Sequence, residues 1–155
     1  MDLTCPESLV EFDSAPAGPL VLVDDDDLGT LLIQRCYEEL GYDRELRVYV
    51  SAPDFISYMN RVCDGAEDMP HAVLLDLNMY GLTGLDVLTK VRSMDATATL
   101  PPIYMLTHSQ DVEDRQRALS LGAAGYFVKP GAIDQFTRLF ETVIESNPEG
   151  LQTPG

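Results

Sequence analysis

The sequence predicts an open, mainly parallel α/β sheet covered by helices on both faces, folded as one domain. Three observations carry that prediction. Four short runs are apolar without interruption, Leu20-Val21-Leu22-Val23, Ala72-Val73-Leu74-Leu75, Ile103-Tyr104-Met105-Leu106 and Tyr126-Phe127-Val128, as strands buried on both faces are. Between them, apolar residues recur at helical spacing. Strand and helix alternate regularly, giving five of each, and parallel strands need such helical crossovers.

The elements follow in order. Residues 1–19 contain Pro6, Pro16, Gly18 and Pro19 with little periodicity, and are expected to form an irregular arm. Leu20–Val23 is the first strand. Leu28, Leu32, Cys36 and Leu40, with Ile33 and Tyr37 beside them, mark one face of a helix that Gly41 ends. Leu46, Val48 and Val50 alternate with Arg47 and Tyr49, which suits a half-exposed edge strand. Ser51 caps the next helix, with Asp54 three residues on in the manner of a capping box, and Phe55, Met59 and Val62 supply its buried face. Asp64 to Pro70 is an acidic loop.

The Ala72 strand comes next, then a helix from about Gly84 carrying Leu85, Leu88 and Val91. Pro101 and Pro102 lead into the Ile103 strand. Gln110 to Leu121 is helical but thin in large apolar residues. Val112, Leu119 and Leu121 are expected to do most of its packing, which makes it the least firmly docked helix, and Gly122 closes it. After the Tyr126 strand, the last helix bears Phe136, Leu139, Phe140, Val143 and Ile144, a full amphipathic stripe that runs out near Ser146. Asn147 to Gly155 is then a short tail. No internal repeat is visible, and 155 residues leave no room for a second domain.

Composition narrows the function. A hydrophobic fraction of 45% and a charged fraction of 23% are those of an ordinary globular chain rather than a disordered one. Ten basic against 26 acidic residues give a formal charge of −16, which disfavours nucleic acid and anionic membrane surfaces as partners. No apolar run is long enough to span a bilayer. The first basic residue is Arg35, so the N-terminus lacks the positive flank of a secretory signal or a transit peptide. Cys5, Cys36 and Cys63 are odd in number and widely spaced, with only His71 and His108 as companions. That argues against disulfides or zinc and for the cytoplasm; Cys36 and Cys63 are expected to be small core hydrophobes.

Ligands of parallel sheets bind in the crevice at the carboxyl ends of the strands. The first apolar run ends in Asp24-Asp25, the second in Asp76, the third in Thr107 and the fourth in Lys129. Taken singly, each has an ordinary explanation: a solvated turn, a loop or cap aspartate, a helix cap, a surface lysine. Jointly, four core strands deliver three carboxylates, a hydroxyl and an ammonium to one sheet edge. Gathered carboxylates repel one another unless a cation neutralises them, and oxygen-only ligation suits Mg²⁺. Aspartate is a nucleophile for phosphoryl transfer, and Mg²⁺, Lys129 and the Thr107 hydroxyl are donors for the oxygens of the transferred group.

These residues resemble the receiver domain of two-component response regulators over about Leu20 to Glu145. The resemblance lies in LVDDD at 22–26, LLDLNMYGLTGLDVL at 74–88, YMLTHS at 104–109 and GAAGYFVKP at 122–130. It implies a (βα)5 flavodoxin-like fold of strand order 2-1-3-4-5, with a receiver domain at 20–146 and no output domain. It also implies that Asp76 is phosphorylated by a histidine kinase or histidine phosphotransfer protein. Asp24, Asp25, Asp76 and the main-chain carbonyl of Asn78 would hold Mg²⁺, with Mn²⁺ as a substitute. Lys129 would pair with the phosphoryl group, and Thr107 and Tyr126 would form the switch pair. The message would leave through contacts with a downstream protein, on the face of the Gln110 helix, the Tyr126 strand and the last helix; a homodimer through that face is compatible with the sequence.

Four features depart from the family pattern. Tyr80 replaces a usual proline, which is expected to loosen the loop after Asp76. Gly131 replaces a bulky apolar residue, His108 replaces a small one beside Thr107, and the acidic loop between Arg61 and Ala72 is long. Two other functions compete. A Mg²⁺-dependent phosphohydrolase with an aspartyl nucleophile normally carries a second acid two residues on, where this chain has Asn78. A phosphorylation-independent interaction module would not need the intact set Asp24, Asp25, Asp76, Thr107 and Lys129. The expectation is therefore a signalling module that is not an enzyme beyond its own phosphorylation and dephosphorylation.

Overall fold

The computed structural model of the chain describes residues 18–94, 101–108, 111–129 and 136–145. Five strands alternate with five helices: β1 (Leu20–Val23), α1 (Asp27–Leu40), β2 (Leu46–Tyr49), α2 (Ala52–Cys63), β3 (Ala72–Asp76), α3 (Gly84–Arg92), β4 (Ile103–Thr107), α4 (Val112–Ser120), β5 (Gly125–Val128) and α5 (Phe136–Glu145). All strand pairs are parallel, and the order is β2-β1-β3-β4-β5. The flavodoxin-like topology expected from the sequence is the one observed. Residues 1–17 of the expected arm, the tail, Gln110 and the Pro130–Gly131 segment lie outside the described residues.

Alternation along the strands divides the core into two layers. Leu20, Leu22, Ala72, Leu74, Tyr104 and Leu106 face α1 and α5. Val21, Val23, Val73, Leu75, Ile103 and Met105 face α2, α3 and α4. Every residue of β1, β3 and β4 is buried, which explains their unbroken apolar runs. β2 is the half-buried edge that its alternation predicts. β5 is the other edge and not the fourth core strand, because among the described residues nothing pairs with its far side; Tyr126 and Phe127 are half buried and Val128 is exposed.

Gly41 and Ser51 cap helix ends as the sequence predicts, although Asp54 does not return the bond that a full capping box at Ser51 requires. Gly41 closes α1 at φ 77°, a conformation that glycine adopts without steric penalty. The Ser51 hydroxyl accepts from the Asp54 amide, and Thr83 and Asp86 form a full reciprocal capping box at α3.

Three packing expectations fail for identifiable reasons. In α1 the buried residues are Thr30, Ile33, Cys36 and Tyr37, whereas Leu28 is 66% and Leu32 44% exposed. A strict spacing of four drifts by about 40° per step around a helix, so Leu28 and Cys36 cannot share a narrow face. In α4 only Ala118 is buried among the described residues, while Val112 and Leu119 point to solvent. The expectation of a lightly docked helix holds, but those two residues do not dock it. Cys63, the last residue of α2, is exposed while Cys36 is buried, because it stands one residue past Val62 on the inward stripe.

Candidate functional site

The register of the sheet brings the site together. Val23 is paired with Leu75, so Asp24 comes level with Asp76, the last residue of β3. Thr107 ends β4 beside Val128, and Lys129 follows directly, its amide donating to the Thr107 carbonyl at 2.7 Å. Four parallel strands thus end on one row, the carboxyl edge of the sheet.

Asp24, Asp25 and Asp76 each offer a carboxylate oxygen, and these oxygens lie within 4.8 Å of one another. Asp24 is wholly buried and Asp76 is 4% exposed, while Asp25 opens to solvent. The Lys129 ammonium is 2.7 Å from Asp24 Oδ2 and 3.7 Å from Asp76 Oδ2. Burial, and after it the charge of Asp24, pushes the Asp76 carboxyl up to about 7, against the lowering pull of Lys129 and of the Asn78 amide. One ammonium therefore leaves negative charge uncompensated. Such a set, oxygen-only and rich in carboxylate, fits a hard divalent cation.

Main-chain amides hold each carboxylate of the cluster. The Asp26 amide donates to Asp24 Oδ1 at 3.0 Å, Asn78 to Asp76 Oδ1 at 3.3 Å, and Tyr80 to Asp25 Oδ2 at 2.6 Å. Thr107, fully buried, accepts from the Asn78 side-chain amide at 3.3 Å. The structure therefore brings together Asp24, Asp25, Asp76, Asn78, Thr107 and Lys129. Tyr126 stands apart in β5, its half-buried ring packed toward the layer of α2, α3 and α4. His108 is exposed just past β4.

Sequence reasoning missed two contributors. The amides of Asp26, Asn78 and Tyr80 are main-chain groups, which no residue pattern announces. Gly84 is the other: its amide donates to the Leu77 carbonyl at 2.7 Å, and a Cβ there would strike the Asp76 carbonyl oxygen. A signal for it was present, since Thr83 and Asp86 bracket it as a helix start. Tyr80, where the family pattern has proline, supplies a main-chain amide that ties the loop to Asp25, a bond for which proline has no N–H to give. In the acidic loop, Glu67 pairs with Arg47 and Arg61, so part of its charge is spent inside the fold.

Comparison with known proteins agrees with this architecture. The family model described as response regulator receiver domain matches residues 20–141. The transcriptional regulatory protein PrrA of Mycobacterium tuberculosis is 33% identical over 120 residues, covering 77% of this chain and 47% of PrrA; the chain thus matches about half the length of that relative. The bacteriophytochrome response regulator RtBRR superposes with a TM-score of 0.68 at 30% identity, covering 89% of this chain and 84% of that one. The Mn²⁺-bound response regulator Rcp1 shares the fold, with a TM-score of 0.65 at 22% identity over 89% of this chain and 97% of its own.

Proposed function

The chain belongs to the response regulator receiver domain family, and from that premise we propose that Asp76 accepts a phosphoryl group and that residues 20–146 are the switching unit. The observation that carries the proposal is the carboxylate cluster at the strand ends, with Lys129 bridging Asp24 and Asp76. A carboxylate oxygen of Asp76 attacks the phosphorus of a phosphohistidine on a histidine kinase or phosphotransfer protein. The new O–P bond makes an aspartyl phosphate; the P–N bond breaks and its electron pair returns to the donor imidazole, which takes up a proton. Mg²⁺, or Mn²⁺ in its place, would be held by Asp24, Asp25, Asp76 and the Asn78 main-chain carbonyl. Bound there it would supply charge neutralisation for the transferred group.

The remaining roles belong to this chain. Lys129 lies within 3.7 Å of Asp76 and can follow the charge onto the phosphoryl oxygens. The modification adds roughly −1.5 to −2 charges, which draws the Thr107 hydroxyl away from Asn78 and makes room for the Tyr126 ring to turn. α4, buried only at Ala118 among the described residues, is the element with least to lose in such a shift. Exposed Leu119 on α4 and Val128 on β5 suit that face to a downstream protein or a second copy. Exposed Leu28, Leu31 and Leu32 on α1, at the carboxyl edge, suit docking of the donor. Among the described residues no helix is long and apolar enough to cross a membrane.

The test is direct. Incubation with Mg²⁺ and a small phosphodonor, followed by intact mass, should show one phosphoryl group that hydroxylamine removes and that Asp76→Asn abolishes. Multiple turnover of phosphate esters would instead indicate a hydrolase, and absence of any adduct, even with a cognate kinase, an interaction module.

A further inference from the structure

The three acids of the cluster are not held alike. Asp24 is fully buried and fixed by Lys129 and the Asp26 amide. Asp76 is nearly buried and fixed by Lys129 and the Asn78 amide. Asp25 is the open one, and its carboxylate is anchored by the Tyr80 main-chain N–H at 2.6 Å. From this geometry we infer that the Tyr80 amide is a positioning group, which orients Asp25 so that the cluster is arranged for a divalent cation before the ion arrives. The inference rests on the functional reading above and deepens it.

The bond has the character the role requires. It is short and charge-assisted, the stronger class of hydrogen bond. Its donor belongs to a loop fixed by its own backbone: the Leu82 amide donates to the Tyr80 carbonyl at 3.2 Å and Gly84 to Leu77 at 2.7 Å, and the Thr83–Asp86 capping box follows. The Tyr80 side chain, 96% exposed, has little part in this. A carboxylate offers about four lone-pair sites, so Asp25 can accept the amide and still ligate an ion. An unanchored carboxylate on an open surface would have to give up rotamer freedom on binding. Groups that hydrogen-bond to metal-ligating residues typically affect metal affinity by about 10- to 100-fold.

Two substitutions separate the amide from the ring. Tyr80→Ala keeps the N–H and removes the side chain; Tyr80→Pro removes the N–H. Mg²⁺ is titrated into each protein without phosphodonor, and backbone amide shifts around the cluster are followed by NMR. Tyr80→Ala should bind within about twofold of wild type, and Tyr80→Pro about tenfold more weakly. In an Asp25→Asn background, Tyr80→Pro should cause no further loss. Proline also fixes φ at residue 80 and restricts Met79 before it, so a second deletion of the N–H separates the lost donor from that restriction. Urea unfolding without Mg²⁺ checks that the variant folds, and an ester in place of the residue-80 amide, made by peptide ligation, deletes the same N–H without altering φ. Unchanged or tighter binding by Tyr80→Pro and the ester overturns the inference, as does an equal loss in Tyr80→Ala. No saturable binding by the wild type would overturn the functional reading, and this inference with it; wild-type binding with an indifferent Tyr80→Pro overturns the inference alone.

Discussion

Replacing Gly84 by alanine adds one methyl group at the point where α3 meets the end of β3. That methyl would strike the Asp76 carbonyl oxygen and lie 2.8 Å from Leu77 Cα and 2.9 Å from Met105 Cε. The Met105 terminus can swing aside, but the other two are backbone atoms and cannot rotate away. Restoring the ~3.5 Å at which carbon atoms come to rest requires the two segments to separate by about 0.7 Å at Leu77. The 2.7 Å bond from the Gly84 amide to the Leu77 carbonyl is strained by the same movement. Overpacking of this kind costs about 1–3 kcal/mol, and the helix preference of alanine recovers less than its full ~1 kcal/mol at a first-turn position. With a urea slope of about 2 kcal/mol/M, the unfolding midpoint should fall by about 0.5–1 M. Because the displaced backbone carries Asp76, phosphorylation should suffer more than stability does. Misplacement near 1 Å costs up to about 100-fold, so the initial rate with a small phosphodonor, read by intact mass, should fall by at least about tenfold. A midpoint within about 0.2 M of wild type and a rate within about twofold would refute the reasoning.

Other perturbations test separate parts of the site. Lys129→Met leaves two buried carboxylates without their ammonium and should destabilise the ion-free protein by about 3–5 kcal/mol, with partial recovery when Asp24→Asn is added; equal stability of the two variants in urea would show that the pair is not coupled. Asp76→Asn removes one negative charge from the crowded cluster, so it should raise the melting temperature without divalent ion. Added Mg²⁺ should then raise the wild-type melting temperature by mass action and the variant's much less, as differential scanning calorimetry would show. His71 gives a pH dependence. Its Nε2 lies 3.0 Å from the Ile144 carbonyl, and burial holds its pKa below the usual 6.5. The unfolded chain therefore binds the proton more readily, and stability present above about pH 6.5 is lost as pH falls through that value toward the folded pKa. His71→Gln should flatten this part of the urea-midpoint profile between pH 7 and about 5.5; a slope identical to wild type would assign it to other groups.

How much of the molecule could be read from residues alone depends on what each signal measures. Strands β1, β3 and β4 were legible because burial on both faces leaves an unbroken apolar run. Helix existence was legible too, but rotation was not. Leu28 and Leu32 look inward only if the helix repeats every four residues, and the true repeat of 3.6 turns them out. The inward stripe of α1 is read instead through Thr30, Ile33 and Cys36 or Tyr37. β5 misled for a different reason: Tyr126, Phe127 and Val128 are as apolar as a core strand, yet edge position is a property of the whole sheet. In α4, counting apolar residues rightly indicated weak docking, but small Ala118 rather than Val112 or Leu119 makes the contact.

The site divides along the same line, between what side chains announce and what main chain supplies. Asp24, Asp25, Asp76, Thr107 and Lys129 could be assembled from sequence because a parallel register carries each strand end to the same row. Every strand advances by the same rise per residue, so residues just past four apolar runs must meet. The pairing of Lys129 with Asp24 at 2.7 Å follows from that row, since β1 and β5 flank β3 and β4 and a long ammonium can span them. No such rule reaches the amides of Asp26, Asn78 and Tyr80. Each points at a carboxylate only because the loop bearing it has turned, and any residue but proline can supply the same N–H. Tyr80 is where the two kinds of signal meet. By residue type it marks a missing proline and suggests a looser loop, whereas by position its amide closes that loop onto Asp25. A residue whose type points to a looser site thus adds to it a donor that proline could not provide.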